Sequence, residues 1–339
     1  MQTTSLEPEQ AMPEPAALEL VGLRTEFRIG GEWHPAVRDI SLRISRDETL
    51  ALVGESGCGK SVTALSVMGL VAKPHGRVAG GRILVEGEDM NAMPESAREK
   101  LRGDRIAMVF QEPMTSLNPV MTVGDQVAES LRIHRGLSRA EALDKARQLF
   151  EEVKIPSPEK RLKEYPHQFS GGMRQRVMIA MALACEPAVL LADEPTTALD
   201  VTIQAQVLGL LDDLRKKRGM AVLFITHNLG VVAQIADRVA VMYAGDIVEE
   251  APVETIFADP RHPYTQALFA AIPRLDQPEA ALHAIPGRVP PLDKMPPGCR
   301  FAARCPMRQE GCDLPQVLVD VDAQHRVRCH VASGALAHA

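Results

Sequence analysis

The stretch GESGCGKS at residues 54 to 61 constrains this chain more than any other, because it sets Gly, four residues and Gly-Lys-Ser between a strand-like and a helix-like run. Such a loop brings backbone N–H groups around phosphate oxygens, so Gly54, Gly57 and Gly59 stand where a Cβ would obstruct the approach. Glu55, Ser56 and Cys58 fill the permissive positions, with Cys58 a small filler rather than a redox switch. Lys60 is placed to reach the β- and γ-phosphates and Ser61 to ligate magnesium; Val62 follows in a helix expected from Ser61 to Val71. The loop needs a buried sheet behind it. ETLALVG (48 to 54), AVLLAD (188 to 193) and AVLFITH (221 to 227) supply one, being too continuously apolar for half-exposed strands.

From about Leu18 to Ala251, strand-like runs alternate with amphipathic helices, as in an α/β fold. Ala142, Leu143, Ala146, Leu149, Phe150 and Val153 recur at helical spacing behind a capping box of Ser138 and Glu141, inside a mostly helical insert at about 112 to 187. A second helix, 201 to 218, carries Ile203, Val207, Leu210, Leu211 and Leu214 on one side, with Asp200 as its cap and Gly219 as its stop. Beyond about 256 prolines crowd a loop-rich appendage, and four of the six cysteines (Cys299, Cys305, Cys312, Cys329) fall within it. The divisions expected are a flexible start (1 to 16), a nucleotide-binding domain (17 to 255) and this extension (256 to 339). A net charge of -6 argues against general nucleic-acid binding. The most apolar run, 177 to 192, is broken by Glu186 and Pro187, so no membrane span is expected. Acids and prolines at the start do not resemble a signal peptide, which points to the cytosol.

VLLADEP (189 to 195) ends an apolar strand in two carboxylates: Asp193 placed for magnesium, and Glu194 for the general base that takes a proton from attacking water. His227 ends the next apolar strand, where a donor could hold a γ-phosphate and the water. Gln111 follows the strand IAMVF, and a second glycine loop, FSGGMRQR (169 to 176), raises the question of which phosphate it serves.

In this order, GESGCGKS, Gln111, FSGGMRQR, VLLADEP, TALD (197 to 200) and His227 resemble the nucleotide-binding subunits of ABC transporters. The resemblance implies a P-loop NTPase of ABC type, with a RecA-like core, a helical insert and an antiparallel β region, hydrolysing ATP with Mg2+. It implies that Ser170, Gly171 and Gly172 complete the ATP site of a partner ATPase chain, and that Asp200 communicates across that dimer. It further implies that Phe27 stacks on adenine, with Trp33 the competitor, and that Gln111 links magnesium and water to the membrane subunits. Phe169 and Met173 depart from the commonest form of the signature, LSGGQ.

HPYTQAL (262 to 268), PGRVPPL (286 to 292) and CRFAARCPMRQEGC (299 to 312) resemble the C-terminal extension of oligopeptide and dipeptide importer ATPases, a branch whose members also serve nickel or glutathione. That branch implies a heteromeric ATPase pair on the cytoplasmic face of the membrane, two transmembrane permeases and an extracytoplasmic substrate-binding protein. The cysteine spacing C-x5-C-x6-C-x16-C lacks the tight knuckles of common zinc modules. Some members of the branch carry a [4Fe–4S] cluster on this pattern; zinc, with His325 or His330 as replacement ligands, or unmetallated thiols are the alternatives. Arg300, Arg304, Arg308, Arg326 and Arg328 are candidates to offset a cluster's negative charge.

Overall fold

The computed structural model describes residues 16–111, 116–197, 199–271 and 285–334. The flexible start expected over 1 to 16 lies, apart from buried Ala16, outside the described residues, as does Ala198 of the TALD run.

Two sheets form the framework. Strands β1 (Leu18–Ile29), β2 (Glu32–Ile44), β4 (Gly76–Val85) and β5 (Glu88–Asp89) make an antiparallel sheet in the order β2-β1-β4-β5. The main sheet runs β11-β12-β10-β9-β3-β8-β7-β6, built from β3 (Thr49–Val53), β6 (Ile106–Val109), β7 (Val189–Asp193), β8 (Ala221–Thr226), β9 (Arg238–Tyr243), β10 (Asp246–Pro252), β11 (Val319–Asp322) and β12 (His325–Val327). Its β9-β3-β8-β7-β6 portion is parallel. Every residue of β3, β7 and β8 is buried, the burial on both faces that their unbroken apolar sequences require.

The longer helices are α1 (Lys60–Val67), α2 (Glu95–Leu101), α3 (Val123–Arg135), α4 (Arg139–Glu152), α5 (Gly171–Leu183), α6 (Val201–Arg218), α7 (Leu229–Ile235) and α8 (Pro263–Ala270). On one face of the main sheet, Leu190, Ala192 and Phe224 join a core with Val127 and Leu131 of α3, Phe150 of α4, Val177 of α5 and Leu211 of α6. On the other, Leu50, Leu52 and Ile225 pack with Val67 of α1 and with Leu20, Leu23 and Ile40 of the antiparallel sheet. Both expected caps form: Ser138 and Glu141 close a capping box, and Asp200 accepts from the Ile203 backbone N–H at 2.9 Å. Gly219, at φ 60, ends α6 where the sequence places its stop.

Two elements differ from the sequence expectation. Helix α1 ends at Val67 rather than Val71, because Gly69 takes a left-handed conformation (φ 66) and turns the chain back. The extension, read as loop-rich, contains two strands: β12 pairs with β10, β11 with β12, and Phe301 and Tyr264 enter a core with Val53 and Tyr243. Strands of four and three residues carry too little pattern to be seen beforehand.

Candidate active site

The phosphate loop joins the carboxyl end of β3 to α1, the position that presents the helix N-terminus to an anion. Close packing dictates the glycine at 54: its φ is 153°, and a Cβ there would lie 2.1 Å from the Met242 carbonyl oxygen. At Gly57 conformation decides instead, since φ is 78° and space is open around it. The Lys60 ammonium, 5% exposed, donates to the Gly54 and Glu55 carbonyls at 2.8 and 3.1 Å, which keeps it over the loop. Cys58 is buried, burial raises its thiol pKa, and its sulfur packs beneath the loop as the small filler expected.

Ser61 Oγ donates to Asp193 Oδ1 at 3.1 Å, so two of the three residues expected at magnesium converge from α1 and β7, while the third, Gln111, donates instead to Glu194. Burial raises the Asp193 pKa; the neighbouring Glu194 charge adds to this and the Ser61 bond opposes it. Their oxygens and the glycine cradle fit a magnesium–nucleotide complex, a hard cation taking oxygen ligands beside phosphates.

At Glu194 the strand ends in a left-handed residue (φ 46), locked by its N–H donating to the Ile225 carbonyl at 2.9 Å. Three side chains converge on its carboxylate. Gln111 Nε2 donates to Oε2 at 3.1 Å, Thr197 Oγ1 donates to Oε2 at 2.9 Å, and His227 Nδ1 lies 2.9 Å from Oε1. Burial works to raise the Glu194 pKa, but the bonds from His227 and Thr197, with the Lys60 charge, outweigh it and hold the carboxyl below its ordinary range. The group is therefore an ionised acceptor aimed by its neighbours, as a base for water must be. Sequence reasoning missed Thr197. Its position three residues after Glu194, in a turn, was the available signal.

Other expected residues stand elsewhere. Ser170 begins α5 on the helical side of the sheet, exposed, without a side-chain capping bond. Gly171 is exposed too, whereas Gly172 packs so closely that a Cβ would lie 2.5 Å from Ile203 Cγ2. The N-terminus of α5 is therefore exposed at Ser170 and Gly171. Phe27 is half-buried on β1 against Gly76, and Trp33 lies under the Arg77 guanidinium at 4.1 Å. Asp200 is visibly a helix cap.

Cys299, Cys305, Cys312 and Cys329 line one small cavity, together with His262 and His330. Among the described residues, however, no group of three or more His, Cys, Asp or Glu is arranged to hold a metal ion. Burial pushes the Cys299 thiol up to about 11 and raises Cys305 and Cys329, so loading a metal must displace protons. His325 is withdrawn as a replacement ligand, because it is buried against Glu249, its Nε2 lying 2.8 Å from Oε1. Four of the five arginines expected to neutralise a cluster are committed elsewhere, Arg304 to Glu55, Arg326 to Glu250, and Arg300 and Arg328 to backbone carbonyls, while Arg308 is exposed. His262, which lines the cavity with a buried Nε2 that has no partner among the described residues, was missed because the HPY run was read only as a branch marker.

The fold and this carboxylate-and-loop geometry define a P-loop nucleotide hydrolase. Residues 37–197 match the ABC transporter family model, and residues 248–312 match the C-terminal region of oligopeptide/dipeptide transporters. A putative peptide import ATP-binding protein of Brucella melitensis is 52% identical over 324 residues, covering 92% of this chain and 96% of that one. The oligopeptide transport ATP-binding protein AppD of Bacillus subtilis is 50% identical over 314 residues, covering 92% and 95%. A dimeric ATP-binding cassette solved in a post-hydrolysis state with ADP and Pi matches at TM-score 0.62 and 28% identity, over 70% of this chain and 98% of that one. CbiO1 of Clostridium perfringens, part of an ABC transporter complex, matches at TM-score 0.61 and 26% identity, over 73% and 92%. The chain therefore belongs to the ATP-hydrolysing, ATP-binding subunits of ABC transporters, in the branch that carries the oligopeptide/dipeptide C-terminal region. Among the described residues no helix is long and apolar enough to cross a membrane.

Proposed function

We propose that this chain powers the import of oligopeptides or dipeptides, from the cytoplasmic face of the membrane. It would work with a homologous ATPase chain, two transmembrane permeases and an extracytoplasmic substrate-binding protein. One observation carries the reading: an intact cassette site and the peptide-transporter C-terminal region occur on one chain, across nearly the full length of relatives named for peptide import.

The chemistry follows from the site. Lys60 and the loop N–H groups hold the nucleotide's phosphates, and Ser61 and Asp193 would hold magnesium, which screens phosphate charge when bound. Glu194, ionised and aimed by Gln111, Thr197 and His227, accepts a proton from the water that attacks the γ-phosphorus; ADP leaves and phosphate forms. Gln111 is exposed at the foot of the helical insert, a position from which the state of Glu194 reaches the permeases. Ser170 and Gly171, exposed at the start of α5, supply donors to the γ-phosphate held by the partner chain, which answers the question raised by the second glycine loop. Phe27 is assigned to the adenine ring.

The cysteine cavity is assigned a [4Fe–4S] cluster in a structural role. Support comes from the lining of one cavity by all four cysteines of the spaced set, which would have to draw closer together than they stand here to ligate a cluster. Iron and sulfide analysis of anaerobically purified protein tests this, and a colourless sample with stoichiometric zinc would assign zinc instead.

Uptake of a labelled tripeptide into cells producing the complete transporter tests the function. Wild-type uptake lost with Lys60→Ala is the expected result, whereas Lys60-dependent uptake of nickel or glutathione but not peptide would overturn the substrate class.

A further inference from the structure

The C-terminal extension touches the ATP site directly. Arg304, its side chain 6% exposed, grips both carboxylate oxygens of Glu55 in the phosphate loop, Nη1 to Oε2 at 2.6 Å and Nη2 to Oε1 at 3.0 Å. Its guanidinium is itself fixed by the Pro286 and Ile285 carbonyls at 2.8 and 3.2 Å. The Glu55 N–H donates to the hydroxyl of Tyr264 at 2.9 Å. That ring is fully buried against Tyr243 and Phe301, at centroid distances of 4.7 and 5.3 Å. Behind the loop, Gly245 N–H donates to the Cys58 carbonyl at 2.7 Å, and Arg300 donates to the carbonyl of the preceding Ala244. The extension thus reaches Glu55 through side chain and backbone at once, and braces the turn that holds Cys58.

A bidentate guanidinium–carboxylate pair fixes orientation as well as charge. Here the fixed partner belongs to the loop whose N–H groups must converge on phosphate, and Lys60 bonds the Glu55 carbonyl. An unpaired carboxylate at 55 would both loosen the loop and repel an anion.

We propose that Arg304 and Tyr264 are positioning residues of the ATP site, so that the affinity of the loop for nucleotide is set by the C-terminal extension. Arg304 precedes Cys305, and His262, two residues before Tyr264, lines the cysteine cavity; both links therefore leave from the cavity wall.

A mutant cycle on the full chain tests this, read as the Kd for a fluorescent ATP analogue and as kcat and KM of the assembled ATPase, with Lys60→Ala as the control that the loop is the site measured. Arg304→Gln should raise Kd about tenfold and Glu55→Gln about threefold, since the former leaves an unpaired carboxylate in the loop to repel the phosphates, whereas the latter leaves the Arg304 cation in the extension, still bonded to the Pro286 and Ile285 carbonyls. The double variant should return to the Glu55→Gln value, and Tyr264→Phe should raise Kd about threefold. All three single variants should change KM while keeping kcat within about twofold of wild type, because they act on the ground-state cradle rather than on Glu194. Should Arg304→Gln not fold, Arg304→Lys, which keeps charge but loses the fork, should weaken binding about threefold. Wild-type affinity in Arg304→Gln, or in Arg304→Lys if only that variant folds, would overturn the proposal. So would an Arg304→Gln penalty undiminished in the Glu55→Gln background, because Arg304 would then serve only the extension's own stability.

Discussion

Glu194 shows how much one residue depends on its neighbours. A carboxylate 14% exposed would ordinarily hold its proton more tightly, yet the bonds from His227 and Thr197, with the Lys60 charge, keep it ionised. Glu194→Gln should therefore bind ATP with near wild-type affinity and lose about two to four orders of magnitude in turnover, the range for removal of a general base. A turnover within a few-fold of wild type would remove Glu194 from that role. His262 makes the opposite case: burial holds its pKa down to about 3 from an ordinary 6.5, so the native state does not take the proton the unfolded chain takes. Stability then falls as pH drops from about 6.5 toward about 3, and this group contributes no slope above that window. His262→Asn keeps an acceptor for the Tyr264 N–H and does not titrate, so the loss between pH 7 and pH 5 should shrink by about 2 kcal/mol in urea unfolding. An unchanged pH dependence would contradict the assignment. Asp193, Glu194, Lys60 and Ser61 stood out in the sequence because local motifs carry them. The pairing of Glu55 with Arg304, 249 residues apart, has no local signal.

At the scale of elements, the sequence was most informative where a cap, an apolar stripe and a stop coincide. Helix α6 runs from Val201 to Arg218 between its Asp200 cap and its Gly219 stop, as read, and α4 forms behind its capping box. It was least informative where tertiary contact decides. Helix α1 stops early at Gly69 although Leu70 and Val71 continue the apolar pattern, and β11 and β12 exist because β10 offers an edge. The cap allows two roles of Asp200 to be separated. Asp200→Ala should lower stability by about 1 kcal/mol, and Asp200→Ser should restore most of it. If capping is all that Asp200 does, Asp200→Ser should also restore ATP turnover in the assembled transporter; stability regained without turnover would support a task across the dimer.

Across the whole molecule, the extension and the cassette share one core and one sheet. Phe301 is buried with Tyr243 of β9 and Tyr264 of α8, and β12 hydrogen-bonds to β10. Calorimetry of the full chain should therefore show one unfolding transition, and Phe301→Ala should shift all of it, at a cost of about 3–5 kcal/mol. A separate transition that alone moves would mean that the extension folds independently. We propose that this chain binds ATP on its own phosphate loop but offers its exposed signature, at the start of α5, to a partner's nucleotide. Ser170→Arg, examined for ATP affinity in the isolated chain and for turnover in the assembled transporter, tests it most directly. The expected result is wild-type affinity with turnover reduced about a hundredfold, in the range found when a donor to developing charge is removed. Full turnover by the Ser170→Arg transporter would contradict the claim.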